Sequence, residues 1–324
     1  MGVLLALVSA FSFASSYVLI RAGVRPSDPD NGLMITMLVN VAMLTVAAAL
    51  LPFLIPLPPI TLSGTLWFVA AGLLGPFIGR NALFASIRLI GSTRGAALKN
   101  NAPIVVVVLA VFFLRERFTI QAMLGIGLVL GGLLTLAWEA FTKGPPGEAR
   151  MAVEPVVAEG LIADGPAAEA ISWTQRLAAP AALGISTGIL AAAAFGIAQV
   201  ARAVGIADMP NPVLGSALGV WVGLLSYSLV TAAQGRLGPM LRFNLSHARP
   251  LLWLAGVATT AGNVAFYVAV TMAPISYVSV VSSSETVLTL LLGALALRRL
   301  ESITLQVIIP AFAIFGGTAL IALS

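Results

Sequence analysis

Residues 119–138 read TIQAMLGIGLVLGGLLTLAW, and residues 303–323 read ITLQVIIPAFAIFGGTALIAL. Neither run contains a charged residue. Each has about the 20 residues that a helix needs to cross the hydrocarbon core of a bilayer. Both runs begin with or contain Thr-x-Gln, and both carry a Gly-Gly pair 10 residues after the glutamine. The chain therefore contains apolar segments of membrane length, and two of them are related to each other.

The composition is that of a membrane protein along most of the chain. Hydrophobic residues make up 59% of the 324 positions and charged residues only 9%, whereas charged residues make up about 25% of a soluble domain. Ten apolar runs account for most of the sequence: 2–22, 32–54, 64–90, 95–114, 119–138, 180–203, 212–234, 250–272, 275–297 and 303–323. The runs are continuous rather than alternating, which favours helices over the strands of a β-barrel. The sequence predicts an all-α integral membrane protein with ten transmembrane helices.

A polar segment separates the first five runs from the last five. It is rich in proline, glycine and acidic residues, a composition that predicts a flexible linker. Residues 115–121 align with residues 300–306 at the offset that also superposes the two Gly-Gly pairs, as expected for an internal duplication. The predicted units are a five-helix repeat over 1–138, the linker over 139–178 and a second five-helix repeat over 179–324.

The odd number of helices in each unit sets the relation between the two copies. A five-helix unit ends on the side of the membrane opposite to its start, so the second unit enters from the other face. The sequence therefore predicts two inverted five-helix repeats. Inverted repeats are a common basis of transporters that work by alternating access, with a substrate site near the midplane between the halves.

Short motifs recur in a fixed order along the chain. They are Ala194-Phe195-Gly196 with Val204-Gly205, Asn101-Ala102-Pro103, and Phe113-Leu114-Arg115-Glu116-Arg117 ahead of Gly125 and Gly131-Gly132. With these motifs the chain resembles the EamA-type, two-domain members of the drug/metabolite transporter superfamily, over nearly its whole length apart from the linker. The resemblance implies a multi-pass secondary transporter of the cell membrane. Members of the superfamily move amino acids, metabolites, drugs, nucleotide sugars or sugar phosphates.

The basic residues and the resemblance predict opposite orientations. By the predicted spans, Arg115, Arg117 and Arg202 lie on the side of the termini, and most other basic residues lie at loops and helix ends on the opposite side. The positive-inside bias therefore predicts termini outside the cell. The resemblance implies termini in the cytoplasm, and the sequence leaves both orientations open.

Three ionisable residues fall well inside predicted spans: Arg80, Lys99 and Glu285. Such side chains cost roughly 2.5–3.5 kcal/mol near the bilayer centre, so they normally face protein or a wet cavity. In one interpretation Lys99 and Arg80 hold a carboxylate or phosphate of the substrate, and Glu285 binds an amino group or carries a coupling proton. In the other, Lys99 and Glu285 pair with each other and lock the two halves together.

Amide and hydroxyl side chains lie close to these residues in register. Asn81 and Asn101 of the first half, and Asn263 and Tyr267 of the second, are predicted to line the same pocket. The alternative for each is a hydrogen bond between helices, worth roughly 0.6 kcal/mol. Glu116 precedes the fifth predicted helix, where an acid favours the positive helix end, and we interpret it as structural.

The sequence also argues against several classes of site. With no cysteine and one histidine, it offers no disulfide, no thiol nucleophile and no cluster of histidine and cysteine ligands for a metal. It has no phosphate-binding loop and no zinc-protease motif, so we predict neither an enzyme nor a bound cofactor or metal. The net charge of +5 is spread over loops and helix ends, which argues against nucleic acid as a partner.

We therefore expect a secondary active transporter, an exporter or exchanger of small polar metabolites such as amino acids. Its expected partners are the lipid bilayer, the substrate, and a proton or a counter-exchanged substrate; a homodimer has no specific support. One alternative is a sugar-phosphate or nucleotide-sugar antiporter, which needs more than two cations facing the cavity. Another is a non-transporting scaffold or lipid-binding protein, in which the region of Lys99 and Glu285 is dry and tightly packed.

Overall fold

The computed structural model describes residues 1–24, 30, 32–90, 92–142, 179–246, 249–296 and 305–324. All regular secondary structure in these ranges is helical, as the sequence predicts. The helices are α1 (Gly2–Gly23), α2 (Leu33–Leu54), α3 (Leu62–Gly72), α4 (Arg80–Ile90), α5 (Ser92–Lys99), α6 (Ala102–Phe112), α7 (Ile120–Thr142), α8 (Ala179–Asp208), α9 (Pro212–Ala233), α10 (Leu237–Ser246), α11 (Pro250–Met272), α12 (Ile275–Ser282), α13 (Glu285–Ala296) and α14 (Leu305–Ala322).

Nine segments within the described ranges are long and apolar enough to cross a membrane. Three of them combine two helices: Leu62–Leu83 joins α3 to α4, Arg94–Phe112 joins α5 to α6, and Ile275–Gly293 joins α12 to α13. The tenth predicted span coincides with α14, whose apolar part, Ile309–Ala322, is shorter. The prediction of an all-α integral membrane protein is confirmed, and the ten-helix inverted repeat stays a prediction with which the structure is consistent.

Two parts of the sequence prediction lie outside the described residues. They are the linker beyond Thr142, and residues 300–304 of the segment that aligns with 115–121. The division of the chain into two repeats therefore stays a prediction. Its support comes from the packing of the helices.

The packing of the helices repeats when the two halves are exchanged. The first helix of the first half, α1, packs most extensively on α11, the third span of the second half. The first helix of the second half, α8, packs in the same way on α3 and α4, the third span of the first half. Equivalent spans also pack on each other, α2 on α9 and α7 on α14. This exchange pattern is what a two-fold relation between the halves requires.

Loops that join successive spans alternate between two sides of the bundle. On the side where α1 begins, Thr61, which precedes α3, donates a hydrogen bond to Asp208 at the end of α8 over 2.9 Å. On the opposite side, Asn244 of α10 donates to Asp30, which precedes α2, over 3.2 Å. The side chain of Gln121, at the start of α7, donates to the carbonyl oxygen of Leu320 over 3.3 Å, so α14 ends where α7 begins. We call the side where α1 begins and α14 ends the termini side.

Three spans are interrupted inside the membrane. A π-helical turn, Leu73–Gly79, contains Pro76 and separates α3 from α4. Residues Asn100 and Asn101 separate α5 from α6, and proline stands in the first turn of α6, where its missing N–H costs nothing. In the sequence each of these spans is a single apolar run. Each crossing is built instead from two helices that meet inside the bundle.

The interruption between α12 and α13 has a different chemical cause. No proline lies at this break; the hydroxyl of Ser283 donates to the carbonyl oxygen of Val280, and that of Ser284 donates to that of Val281. Serine side chains that bond nearby carbonyls compete with the helical hydrogen bonds of the backbone. The break between α5 and α6 and the break between α12 and α13 thus lie in equivalent spans, the fourth of each half.

Two adjacent glycines of α14 provide a matched test of the packing on α7. A methyl group on Gly317 would lie 2.5 Å from the carbonyl oxygen of Gly125, whereas one on Gly316 would meet nothing within 4 Å. Gly317→Ala is therefore expected to lower the free energy of unfolding by about 1–3 kcal/mol. Gly316→Ala is expected to raise it by up to about 1 kcal/mol, because alanine favours the helix. Thermal unfolding in detergent measures both, and equal losses in the two variants would contradict this packing.

Candidate functional site

Lys99 and Glu285 form an ion pair between the two halves of the chain. The Nζ atom of Lys99 lies 3.6 Å from Oε1 of Glu285, and the two side chains are 21% and 18% exposed. Lys99 ends α5 and Glu285 begins α13. A cation at a helix C-terminus and an acid at a helix N-terminus are both stabilised by the helix dipoles. The pair therefore joins the two helix breaks, and both side chains remain partly exposed.

The cation of Lys99 has an aromatic neighbour as well. Its Nζ atom lies 5.3 Å from the centroid of the Phe195 ring, which α8 contributes from the second half. A cation at this distance from an aromatic face is attracted by the ring quadrupole. Lys99 thus keeps a favourable contact if its bond with Glu285 is broken by a ligand.

Arg80 is a cation inside a membrane span without an acidic partner in the described part of the chain. It begins α4, directly after the π-helical turn. Its Nη1 atom lies 3.9 Å from the sulfur of Met37, and sulfur is a weak acceptor. Its electrostatic neighbours are Tyr17 and Tyr227. The guanidinium group is therefore left with most of its donors available to an anion.

Tyr17 of α1 lies at the centre of this group of charges, and the sequence analysis did not identify it. Its hydroxyl interacts electrostatically with Glu285, Lys99 and Arg80, which come from three other helices. Tyr17 is nevertheless 44% exposed. Charges from three helices around an exposed side chain indicate an open space between the helices. We call Tyr17, Arg80, Lys99 and Glu285 the central site.

A tyrosine inside an apolar run was the signal that could have pointed to Tyr17. Tyrosine in membrane proteins is enriched at the interfaces with water rather than within the span. Tyr17 lies six residues before the end of α1, Gly23. At about 1.5 Å per residue this places it roughly 9 Å into the helix. Such a position favours a polar cavity over an interfacial anchor.

The two predicted asparagines of the first half form hydrogen bonds to backbone carbonyls at the helix interruptions. Asn81 donates to the carbonyl oxygen of Phe77, in the π-helical turn, over 2.7 Å. Asn101 donates to the carbonyl oxygen of Ala97 over 2.8 Å, and its own Oδ1 is buried without a hydrogen-bond partner. Asn81 is thus adjacent in sequence to Arg80, and Asn101 follows Lys99 at the break.

The predicted residues of the second half fall in different surroundings. Asn263 is partly exposed, and its side chain has no hydrogen bond within the described ranges. Tyr267 is only 2% exposed and packs on Phe68, with ring centroids 5.9 Å apart. The structure thus brings Lys99, Glu285 and Arg80 together and buries Tyr267 in a separate cluster.

Arg202 is the charged residue of that second cluster. Its guanidinium carbon lies 5.6 Å from the ring centroid of Tyr267 and 5.7 Å from that of Phe266. The predicted span ended at residue 203, next to Arg202, whereas α8 continues to Asp208. Arg202 therefore cannot be counted as a loop charge when the orientation is predicted.

A groove of about 600 Å³ lies elsewhere, along α10. Its lining residues are Gly238, Pro239, Arg242, Phe243 and Ser246. None of them belongs to the central site. The groove is open and shallow, and it carries no cluster of opposite charges comparable with the pair of Lys99 and Glu285.

Comparisons with known proteins agree with this architecture. A solved crystal structure aligns with 99% of this chain and 98% of its own, with a TM-score of 0.63 and 15% sequence identity. At that identity the likeness concerns the fold alone. No curated protein matches the chain.

The family model gives a more specific result. Residues 1–138 match the EamA-like transporter family, whose members are transporters. This range is also the first predicted repeat and contains Arg80 and Lys99. The resemblance found in the sequence is thereby confirmed for residues 1–138. Residues 1–138 are thus similar to the EamA-like transporter family of the drug/metabolite transporter superfamily.

Proposed function

We propose that the chain is a secondary active transporter of small polar metabolites that carry a carboxylate, such as amino acids, across the cell membrane. Its class as a multi-pass membrane transporter follows from the family. The substrate class rests on one observation above the others. Arg80 is a cation without an acidic partner among the described residues, and it shares Tyr17 as a neighbour with the pair of Lys99 and Glu285.

The charges of the central site favour a zwitterion with a carboxylate. Arg80 and Lys99 contribute two positive charges and Glu285 one negative charge, so the site carries a net charge of +1. The planar fork of Arg80 suits a carboxylate, which it binds through two parallel hydrogen bonds. An amino group of the same ligand replaces Lys99 as the partner of Glu285. Lys99 then turns to the face of Phe195.

The interrupted helices provide the means of moving the substrate. Transporter sites are commonly formed where discontinuous helices meet near the midplane of the membrane. Lys99 lies at the break between α5 and α6, and Glu285 lies at the break between α12 and α13. Movement of one half against the other changes the side to which the central site is open. The driving energy is a proton carried by Glu285 or the counter-exchange of a second substrate.

Two alternatives receive less support from the same residues. A sugar-phosphate or nucleotide-sugar antiporter needs several free cations at the site, whereas one of the two cations here is paired with Glu285. A scaffold or lipid-binding protein needs a dry and packed centre. The exposure of Lys99, Glu285 and Tyr17 argues against such a centre.

A thermal-shift screen of the detergent-purified chain tests the substrate class. Amino acids, organic acids, sugar phosphates and amphipathic cations are compared at equal concentration. A ligand at 100 times its Kd stabilises the folded state by about 2.7 kcal/mol, so saturating ligands raise Tm measurably. We expect the shift with amino acids. A shift with sugar phosphates alone, or with amphipathic cations alone, would contradict the proposal.

A further inference from the structure

The two sides of the bundle are packed differently. The largest hydrophobic core lies towards the termini side, and Phe68, Met209 and Ile275 are examples of its almost fully buried residues. Met209 directly follows the last residue of α8 on that side, and Ile275 begins α12 there. Tyr17 of the central site, by contrast, is 44% exposed and lies near the opposite end of α1. The termini side is therefore closed by the larger packed core, and Tyr17, in the half of α1 nearer the other side, remains exposed.

One carboxylate connects the two halves within this closed side. Glu116 lies in the loop between α6 and α7 of the first half, and α12 belongs to the second. Its Oε1 accepts a hydrogen bond from the backbone N–H of Ile275 over 2.9 Å. Its Oε2 accepts from the backbone N–H of Ser276 over 3.4 Å and from the hydroxyl of Ser276. From the sequence, Glu116 is expected to stabilise the start of the following helix, α7; in the structure its carboxylate lies at the start of α12 instead.

The loop is shaped to present this carboxylate. Arg115 has a φ of 55°, and it is the only described residue other than glycine with a positive φ. The backbone N–H of Glu116 then reaches back to the carbonyl oxygen of Ala110 over 3.1 Å. Phe118, two residues further on, packs on Tyr277 of α12 with ring centroids 5.9 Å apart. Both sides of Glu116 are thus fixed in position, one by α6 and one by α12.

We propose that Glu116 is the latch of a gate that holds the termini side closed. The eight residues of α12 span about 12 Å, and they lead from the latch to the break that precedes Glu285. When the hydrogen bonds of Glu116 break, the start of α12 is released. With it, α12 and α13 can move, and α13 carries Glu285 of the central site. The role as a gate rests on the proposed alternating access. The alternative is a carboxylate that only caps α12 and has no part in opening.

The absence of cysteine from the sequence makes the gate measurable. Ser279 of α12 is 2% exposed, and its hydroxyl is buried without a hydrogen-bond partner, so Ser279→Cys is a conservative reporter for the closed side. Tyr17→Cys is the reporter for the open side. Each thiol is the only one in its protein, and its rate of reaction with a water-soluble maleimide is measured on the purified full-length chain.

Removing the latch is expected to exchange the accessibility of the two reporters. With Glu116→Ala, Ser279→Cys should react at least about tenfold faster, since the start of α12 loses hydrogen bonds to a charged group. Tyr17→Cys should react more slowly, because the opposite side closes. If Glu116→Ala does not fold, Glu116→Gln removes the charge and keeps one acceptor oxygen. Arg117→Gln, an exposed charge in the same loop, should change neither rate.

Two results would overturn the latch. Unchanged rates at both thiols would mean that Glu116 does not hold the gate, and faster reaction at both would mean a general loosening of the bundle around a simple helix cap. Neither readout requires a substrate. The labelling experiment therefore tests the role of Glu116 independently of the proposed substrate class. The thermal-shift screen tests the substrate class.

Discussion

Combining Lys99→Gln with Glu285→Gln is expected to restore most of the stability that each single variant loses, and none of the transport. Removing one member of a buried ion pair costs roughly 3–5 kcal/mol, because the other charge is left without a partner. The pair here is partly exposed, at 21% and 18%, so we expect about 1–2 kcal/mol for each single variant. The double variant leaves no unpaired charge and should lie within about 1 kcal/mol of the wild-type protein.

A double-mutant cycle separates the structural from the functional role of this pair. The four proteins are compared by thermal unfolding in detergent, and the interaction energy of the pair is the departure from additivity. The same four proteins are compared for transport after reconstitution. Transport by the double variant at the wild-type rate would mean that the pair of Lys99 and Glu285 has a structural role only. Additive losses of stability would mean that Lys99 and Glu285 do not interact in the protein.

Arg80→Gln is expected to weaken ligand binding strongly while leaving the protein at least as stable as the wild type. A charge-assisted, bidentate contact is lost, and a loss of about 2.7 kcal/mol lowers the affinity roughly 100-fold. Stability should not fall, because the variant removes a cation that has no acidic partner in the described ranges and whose insertion costs roughly 2.5–3.5 kcal/mol. Thermal unfolding with and without ligand gives both quantities.

Arg202→Gln is the matched control for Arg80→Gln. Arg202 also lies within a span and also has no salt bridge among the described residues, but it stacks on Phe266 and Tyr267 away from the central site. The variant loses the cation–π contacts, worth about 0.5–2 kcal/mol, and should keep its ligand affinity. Equal losses of affinity in both variants would show that Arg80 does not bind the substrate. A large loss of stability in Arg80→Gln would show that its role is structural.

The sequence predicted the helices well because their physical cause is local. A helix that crosses a bilayer needs about 20 apolar residues, and each such run stands out from the polar loops. The run 250–272, for example, corresponds to α11 from Pro250 to Met272. The interruptions are harder to predict, because single proline and serine residues mark them inside runs that are otherwise apolar and of full membrane length.

The central site was predicted in part for a similar reason. Charges inside apolar runs are costly wherever they lie, so Lys99, Glu285 and Arg80 could be identified without a structure. Tyr17 carries no formal charge, and its place beside them depends on how α1 packs against the other spans. Tyr267 was predicted to line the site as a polar side chain within a span, and its burial against Phe68 depends on tertiary packing. The partner of Glu116 is 159 residues away and has no signal in the sequence.

Uptake of radiolabelled amino acids by proteoliposomes tests the central claim most directly. The wild-type protein, Arg80→Gln and Arg202→Gln are reconstituted at equal amounts, and a mixture of labelled amino acids is supplied with and without a preloaded unlabelled mixture or a pH gradient. The account predicts uptake by the wild type and by Arg202→Gln, and none above empty vesicles by Arg80→Gln. Uptake by Arg80→Gln at the wild-type rate, or no uptake by the wild type under any gradient, would contradict it.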